Sequence, residues 1–593
     1  MTAETTTTRR PRRRRRTVLI VVAVVLLIVV LALAWIAYRA VSAKSDLETA
    51  RTQASAARSA VLDGDVAKAQ QAAAAAESAA SSAHSKTHDP VWSVAAAIPG
   101  LGSPLKSAGD ISDVVSDLST QVLKPIATLA TTLDPSRLRT GDKGIDTSLL
   151  AQNQQQLGQI ADAAERIDAR AQSIDGSWLG QISDARTQLA SQTRTTSRFI
   201  RGTDTAAQLL PPMLGATETR RYFFAFQTPA ESRATGGLLG AYGVVSARNG
   251  RVNVDNLGAN TTLRAPSRPI DLGPDFTLNY GINRPYTDSR NSNVSPHFPY
   301  AAQIWMSMWQ QQSGERLDGA LATDPIALSY LLKATGPIRL DSGEQITADT
   351  VVPVTLSTSY QRFGGDNPAR KAYLQEIAAK AITSVSSARG NTGAVLEALG
   401  RAVLERRLMV YSTRANEQAL LEKSGLAHDV IETSAPYAEV AIGNLAGNKI
   451  DYYLKRDIAY RSSTCTGSTR ESTVTVKLTN TVKDLSLPAY VIGGLGNPDK
   501  RITPGTNYAN ITLNATNGAV LKSVTVDGES TLYSSGTELG HLHATAQARV
   551  KPGATSTVVF TVIEPTSAKG APVVPVQPIV DTPTVTVDVP QCK

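Results

Sequence analysis

Two short stretches of this 593-residue chain gather charged side chains where they could hold an anion. The first is QTPAESRATGGLLG, Gln227 to Gly240, set between YFFAFQ and AYGVVSARNGRV, two apolar runs of strand-forming residues. It carries Glu231, Arg233, Gly236 and Gly237, and a loop with paired glycines lets backbone approach a ligand closely because glycine has no Cβ. The second, SYQRFGGDNPARKAYLQ, holds Arg362, Asp366 and Arg370 around a Gly-Gly pair that precedes a helix. The free N–H groups and the dipole of such a helix start favour negative charge. Arginine suits a pyrophosphate, since its planar fork donates two hydrogen bonds at once. Asp366 beside it would help place Mg2+, which takes one or two carboxylates together with phosphate oxygens. On this reading Arg233, Asp366 and Arg370 are the candidates to hold the anion and its metal, and Glu231, Gly236, Gly237 and Arg362 lie around them. The same residues equally suit a tight turn and a salt-bridged loop with Asp366 as a local cap.

Other chemistries are not signalled. The chain has no GxxxxGK[ST] phosphate loop, HExxH, GxSxG or dinucleotide fingerprint. Its six histidines are scattered, which gives a histidine-based triad little support. In SPHFP, His297 is not expected to bind a metal. The two cysteines, Cys465 and Cys592, lie in no CxxC or Cys/His cluster, so they indicate no zinc site. In an oxidising compartment they would close a disulfide that ties the tail to its domain; otherwise they are free thiols. The formal charge of +9 does not imply a nucleic-acid partner, because seven arginines and one glutamate in residues 1–17 account for +6 of it.

The elements that must position these residues read as an α+β multidomain chain. Residues 1–17 form an Arg-rich segment, and Val18 to Ala37 are 20 consecutive apolar residues, the length that crosses a hydrocarbon core of about 30 Å. Arginines on the N-terminal flank hold that end in the cytoplasm by the positive-inside rule, with Trp35 and Tyr38 at the interface. This predicts a transmembrane helix over 18–38, a single-pass anchor in a bacterial cell membrane, and an extracytoplasmic bulk. A cleaved signal peptide ending near Ala32, Leu33 and Ala34 is the other reading. Residues 39–210 turn to Ala, Ser, Gln, Asp and Arg with apolar residues every three or four positions, the pattern of a helical stalk or bundle whose alanine faces pack on one another. Within it, VLDGDVAKAQQAAAAAESAASSAHS reads as one long helix broken at Asp89 and Pro90.

From 217 to 445 strands alternate with helices, such as the helix opened by Asp324 and Pro325, which predicts a layered α/β domain. From 447 to 565 alternating residues and turn signals, including Asn517 and Gly518, predict a β-sandwich. Residues 566–593 are a Pro/Val-rich extended tail.

Several blocks carry a resemblance. TRRYFFAFQTPAESRATGGLLGAYGVV, NSNVSPHFPYAAQIW and LDGALATDPIALSYLLKATGPIRLDSGEQITADTVV resemble the bacterial family known as domain of unknown function 4012 over residues ~217 to ~385. PGLG at Pro99 and NKIDYYLKRDIAY fit its flanks. A more distant similarity, in the order of strand, Arg-containing loop, strand, LDGALATDPIALSYLLKATGPI and RFGGDNPARKAYLQEIAAKAI, is to the LytR-CpsA-Psr family. Those enzymes move glycopolymers from a polyprenyl-pyrophosphate carrier onto the cell wall. That resemblance implies that Arg233 and Arg370 grip the pyrophosphate while Asp366 helps hold Mg2+. It departs where Ala234 and Thr235 follow the arginine in place of serine and aspartate, and where VNVDNLGANTTL replaces a Ser-Ile-Pro-Arg-Asp block. The expectation is a membrane-anchored protein of cell-envelope glycopolymer assembly that transfers or binds polyprenyl-pyrophosphate-linked glycans. The alternative is a non-catalytic scaffold or polysaccharide-binding protein of the envelope.

Overall fold

The computed structural model describes residues 12–62, 64–129, 144–387, 392–494 and 502–592. The chain divides into two compact units, one of residues 1–138 and 148–210, the other of 139–147 and 211–593.

The first unit is helical. Its helices are α1 (Arg12–Leu62), α2 (Val66–Thr87), α3 (Pro90–Ala96), α4 (Ser103–Leu118), α5 (Lys124–Leu129), α6 (Thr147–Ser173) and α7 (Gly180–Met213). The apolar stretch of α1 is long and apolar enough to cross a membrane, and its residues Ile20 to Leu31 are exposed. The helix does not end there: it runs on without a break into the part that packs against α2. Asp89 marks where packing begins, accepting from the Trp35 indole at 3.1 Å and pairing with Arg39 at 2.9 Å.

The long helix expected through VLDGDVAKAQ is interrupted. Gly64 takes a positive φ of 74°, which glycine adopts without a Cβ penalty, and Asp65 caps the new helix by accepting from the Lys68 N–H at 3.1 Å. Ala57 and Ala60 of α1 then bury against Ala69, Ala72 and Ala73 of α2. The small side chains let two helices approach closely. Leu157, Ile160 and Ile167 of α6 meet Ile111 and Val114 of α4 in a second apolar cluster.

The second unit is built on three sheets and a small hairpin. Its strands are β1 (Arg220–Arg233), β2 (Gly236–Arg248), β3 (Arg251–Ala259), β4 (Gly319–Thr323), β5 (Ile338–Arg339), β6 (Gln345–Ile346), β7 (Met409–Ser412), β8 (Ala438–Asn444), β9 (Leu454–Ser462), β10 (Thr469–Asn480), β11 (Asn507–Asn517), β12 (Val520–Val526), β13 (Glu529–Ser530), β14 (Tyr533–Glu538), β15 (His541–Val550), β16 (Thr555–Pro565) and β17 (Thr584–Asp588). Its helices are α8 (Pro274–Tyr280), α9 (Phe298–Ser313), α10 (Pro325–Thr335), α11 (Val351–Pro353), α12 (Ser359–Phe363), α13 (Asn367–Ser387), α14 (Thr392–Leu404), α15 (Ala415–Ser424) and α16 (Ala489–Ile492).

The first sheet has the order β3-β2-β1-β4-β7, with β1 and β4 parallel and the other pairs antiparallel. Phe223 and Leu239 on one face pack against Phe298, Trp305 and Met308 of α9. Asp324 caps α10, accepting from the Ile326 and Ala327 N–H groups at 2.8 Å, as Asp-Pro at a helix start implies.

The other two sheets, β13-β12-β16-β10-β9-β17 and β14-β15-β11-β8, share one apolar core containing Val474, Val476, Phe560 and Ile511. Strand β8, which comes before residue 447, pairs with β11 in the second of these sheets. The tail also joins: β17 lies parallel to β9, and Cys592 is disulfide-bonded to Cys465 with Cα atoms 5.7 Å apart.

Candidate functional site

The stretch that looks like an anion-cradling loop is the end of a hairpin. Strand β1 continues to Arg233, which pairs with Gly236 at the start of β2, so only Ala234 and Thr235 form the turn. Gly236 has a φ of 132°, and a Cβ at Gly237 would fall 2.3 Å from the Thr228 carbonyl carbon. Both glycines are therefore required by the hairpin's own packing rather than by a ligand. The Gly237 N–H is already used, donating to Gln227 Oε1 at 2.9 Å.

Arg233 is buried and its guanidinium is fully engaged. Nε donates to the Arg290 carbonyl at 2.8 Å, Nη1 to the Ser232 and Asn444 carbonyls at 2.9 and 3.2 Å, and Nη2 to Glu231 Oε1 at 3.1 Å and Asn291 Oδ1 at 3.3 Å. It is a strut between segments about 200 residues apart, not a free anion ligand. Glu231 is buried with it and also pairs with the buried Lys449 ammonium. Burial pushes the Glu231 carboxyl up, but the Lys449 and Arg233 charges outweigh it and hold the group below its usual range. Burial likewise opposes the Lys449 charge, and Glu231 more than restores it, so the ammonium titrates above its usual value. Next to this trio, the fully buried Asp451 accepts from the Ser232 N–H at 2.7 Å, the Ser232 hydroxyl at 2.6 Å and the Asn444 amide at 2.9 Å.

Arg370, on the first turns of α13, is buried too, but its environment differs. Its guanidinium lies over the rings of Tyr360 and Tyr490, 4.4 Å from each centroid, and its Nε and Nη1 atoms find no hydrogen-bond acceptor. Lys449 stands over the other part of the Tyr490 ring, 5.0 Å from its centroid. Tyr490 thus links Arg370 to the Glu231, Arg233 and Lys449 network. Of the residues expected from the sequence, Glu231, Arg233 and Arg370 therefore lie in one buried region.

Arg362 and Asp366 do not join them. Arg362 is exposed, pairs with Glu344 at 2.7 Å and covers the Phe363 and Tyr373 rings. Asp366 is exposed and caps α13, accepting from the Ala369 N–H at 3.0 Å. This is the salt-bridged, capped loop that the same residues also suited. Among the described residues Asp366 belongs to no group of three metal-capable side chains.

An open groove of about 560 Å³ lies beside this region, between β3 and α13. The buried rings of Tyr242 and Trp309 line it together with Asn256, Thr261, Asn367 and Lys371. The Lys371 ammonium donates to Thr261 Oγ1 at 2.8 Å. Burial keeps it below its usual pKa, and the positive charges of Arg370 and Lys449 act in the same direction. A negative charge placed here would relieve that repulsion.

Sequence reasoning missed Lys449, Tyr490, Tyr360 and Lys371. Lys449 and Asp451 sit in NKIDYYLKRDIAY, where they are two of five charged residues and nothing local sets them apart. Nothing local marks Tyr490. His297 is positioned by its Nδ1, which accepts from the Val430 N–H at 3.2 Å.

Residues 217–360 match the model of a family described as protein of unknown function, DUF4012. The match contains Glu231, Arg233, Gly236 and Gly237 and stops before Arg362, Asp366 and Arg370. No curated protein and no solved structure matches the chain.

Proposed function

We propose that this protein is a membrane-anchored, extracytoplasmic binding protein of the bacterial cell envelope that holds an anionic glycopolymer in the groove between β3 and α13. The lining of that groove carries the reading. Aromatic side chains, amides, hydroxyls and one ammonium in one lining are the groups that recognise a sugar bearing an acidic substituent. The wall formed by Asn256 to Thr262 belongs to VNVDNLGANTTL, the stretch that departs from the LytR-CpsA-Psr pattern. A binding role is further supported by Arg233, whose donors are all committed within the protein. In this reading the apolar part of α1 is an uncleaved anchor with its arginines in the cytoplasm, and the two sheets that share a core form a β-sandwich.

The test uses the full chain in detergent and two soluble polysaccharides, polygalacturonate and an uncharged dextran. The acidic polymer should bind and the dextran should not. Lys371→Gln should weaken binding about tenfold, since a charge-assisted hydrogen bond is worth ~1.5–3 kcal/mol and ~1.4 kcal/mol is a factor of ten. Equal binding of both polymers, or no loss on substitution, would sink the proposal.

One observation favours transfer instead: a buried guanidinium, Arg370, with two nitrogens lacking an acceptor. By the LytR-CpsA-Psr resemblance, Arg370 would meet a polyprenyl-pyrophosphate-linked glycan, with Mg2+ near Asp366. That reading requires a polyprenyl-pyrophosphate analogue to bind the full chain with an affinity that drops on Arg370→Lys. Binding indifferent to that change ends it.

A further inference from the structure

We propose that His84, His88 and Asp113 form a site for a borderline first-row dication such as Zn2+ in the helical unit, joining α2 to α4. His84 lies in the last turn of α2 and His88 is the residue that caps its C-terminus, with the two rings stacked 4.2 Å apart. Asp113 reaches them from α4. His84 Nδ1 lies 2.8 Å and His88 Nε2 3.3 Å from the same oxygen, Asp113 Oδ1. One ligand atom from each of the three side chains lies within 4.8 Å of the others. Donors around a tetrahedral Zn2+ at 2.0–2.1 Å stand about 3.3 Å apart, so small adjustments close the triad on an ion.

Hydrogen bonding gives an independent reason. His88 Nδ1 is 3.0 Å from the His84 carbonyl oxygen, which can only accept, so the ring hydrogen is on Nδ1. In the neutral ring Nε2 is then a lone pair, and it faces a carboxylate oxygen, another acceptor. Either a proton on Nε2 or a metal ion between the two atoms resolves that contact, and a metal ion that binds there takes the place of the proton. The bond from Nδ1–H to a backbone carbonyl is also the arrangement that orients metal-ligating histidines and fixes their tautomer. The face is held in register by a buried hydrogen bond between the hydroxyls of Thr87 on α2 and Ser112 on α4, 2.6 Å long. Arg170 approaches the other carboxylate oxygen, with Nη2 at 3.9 Å from Oδ2, and leaves Oδ1 to the histidines. The His84, His88 and Asp113 side chains are 46, 40 and 26% exposed, so an ion can enter and water can complete its shell. Two imidazoles and a carboxylate suit Zn2+, Ni2+ or Cu2+ better than Mg2+ or Ca2+. The ion would hold two helices of the bundle together.

The probes are ZnCl2, followed calorimetrically, and Co2+, followed by visible absorption, added to the chelator-stripped full chain in detergent without a polyhistidine tag. The expected result is one ion per chain, Co2+ bands of nitrogen and oxygen ligation, and a higher melting temperature with Zn2+. Asp113→Asn, which keeps the side chain's size, should weaken binding at least tenfold, and the pair His84→Gln with His88→Gln should abolish it with helicity retained. No Zn2+ heat and no Co2+ absorption in the unmodified chain overturns the proposal. So does binding that survives the double histidine substitution, because the ion is then held elsewhere. Should Asp113→Asn lose helicity, the double substitution at these partly exposed histidines decides the matter.

Discussion

At the scale of single residues, the charged groups of the hairpin end are structural because each is buried with its partner. Removing one member of a buried pair leaves the other charge uncompensated, which costs about 3–5 kcal/mol. Arg233→Ala should therefore lower unfolding stability by that amount in denaturant titration and leave acidic-polymer binding at the Lys371 groove unchanged. A stable variant with weakened binding would show that Arg233 contacts ligand. His297 offers a second prediction. Burial pulls its pKa from 6.5 down to about 4. The unfolded chain then binds this proton more readily than the folded one, so stability falls as pH falls from about 6.5 towards about 4. The full effect is about 3 kcal/mol, at 1.36 kcal/mol per pKa unit. His428, also buried, is shifted in the same direction. Unfolding measured across that interval should show a steeper loss in the unmodified chain than in His297→Gln, and equal slopes would refute the assignment.

At the scale of elements, the C-terminal tail is held by a strand pairing, a covalent bond and buried polar contacts such as the Arg456–Asp581 ion pair and the Gln577 amide, which donates to the Arg233 and Ile442 carbonyls. Strand β17 hydrogen-bonds to β9 along five residue pairs, and beyond it Cys592 closes a loop 127 residues long to Cys465. Chain entropy assigns a loop of that size about 5 kcal/mol, near the upper end of what disulfides contribute. Cys592→Ser should lower the melting temperature and raise amide exchange in residues 584–588. Protection that persists there would mean that the pairing suffices by itself. Helix α2 makes a related point about local signals: a glycine and an aspartate, Gly64 and Asp65, end one helix and start the next within a run of good helix formers.

At the scale of the whole molecule, the proposed topology rests on the asymmetric charge of the N-terminal segment. Seven arginines precede the apolar run, and positive flanks stay in the cytoplasm. A reporter that is active only outside the cytoplasm should work when fused after Lys593 and fail when fused at Met1. The reverse pattern would place the groove and the disulfide in the wrong compartment for the proposed role.

What the sequence determined by itself was local. Twenty apolar residues in a row, the Asp324-Pro325 helix start and the alternation in Thr469–Asn480, whose side chains are buried at every second position, are each visible within a short window. The nearness of Glu231 to Arg233 was also visible there, but as part of a loop, whereas both lie on β1. What only the tertiary structure decided was how those charges are used. Glu231 meets Lys449, 218 residues away, and Arg370 meets Tyr490 across 120 residues of chain. The His84 and His88 pair gained its carboxylate only when α4 packed on α2. A charged side chain reads the same in sequence whether it serves a ligand or a fold. The difference is burial and the identity of the partner, and both are set by contacts between distant segments.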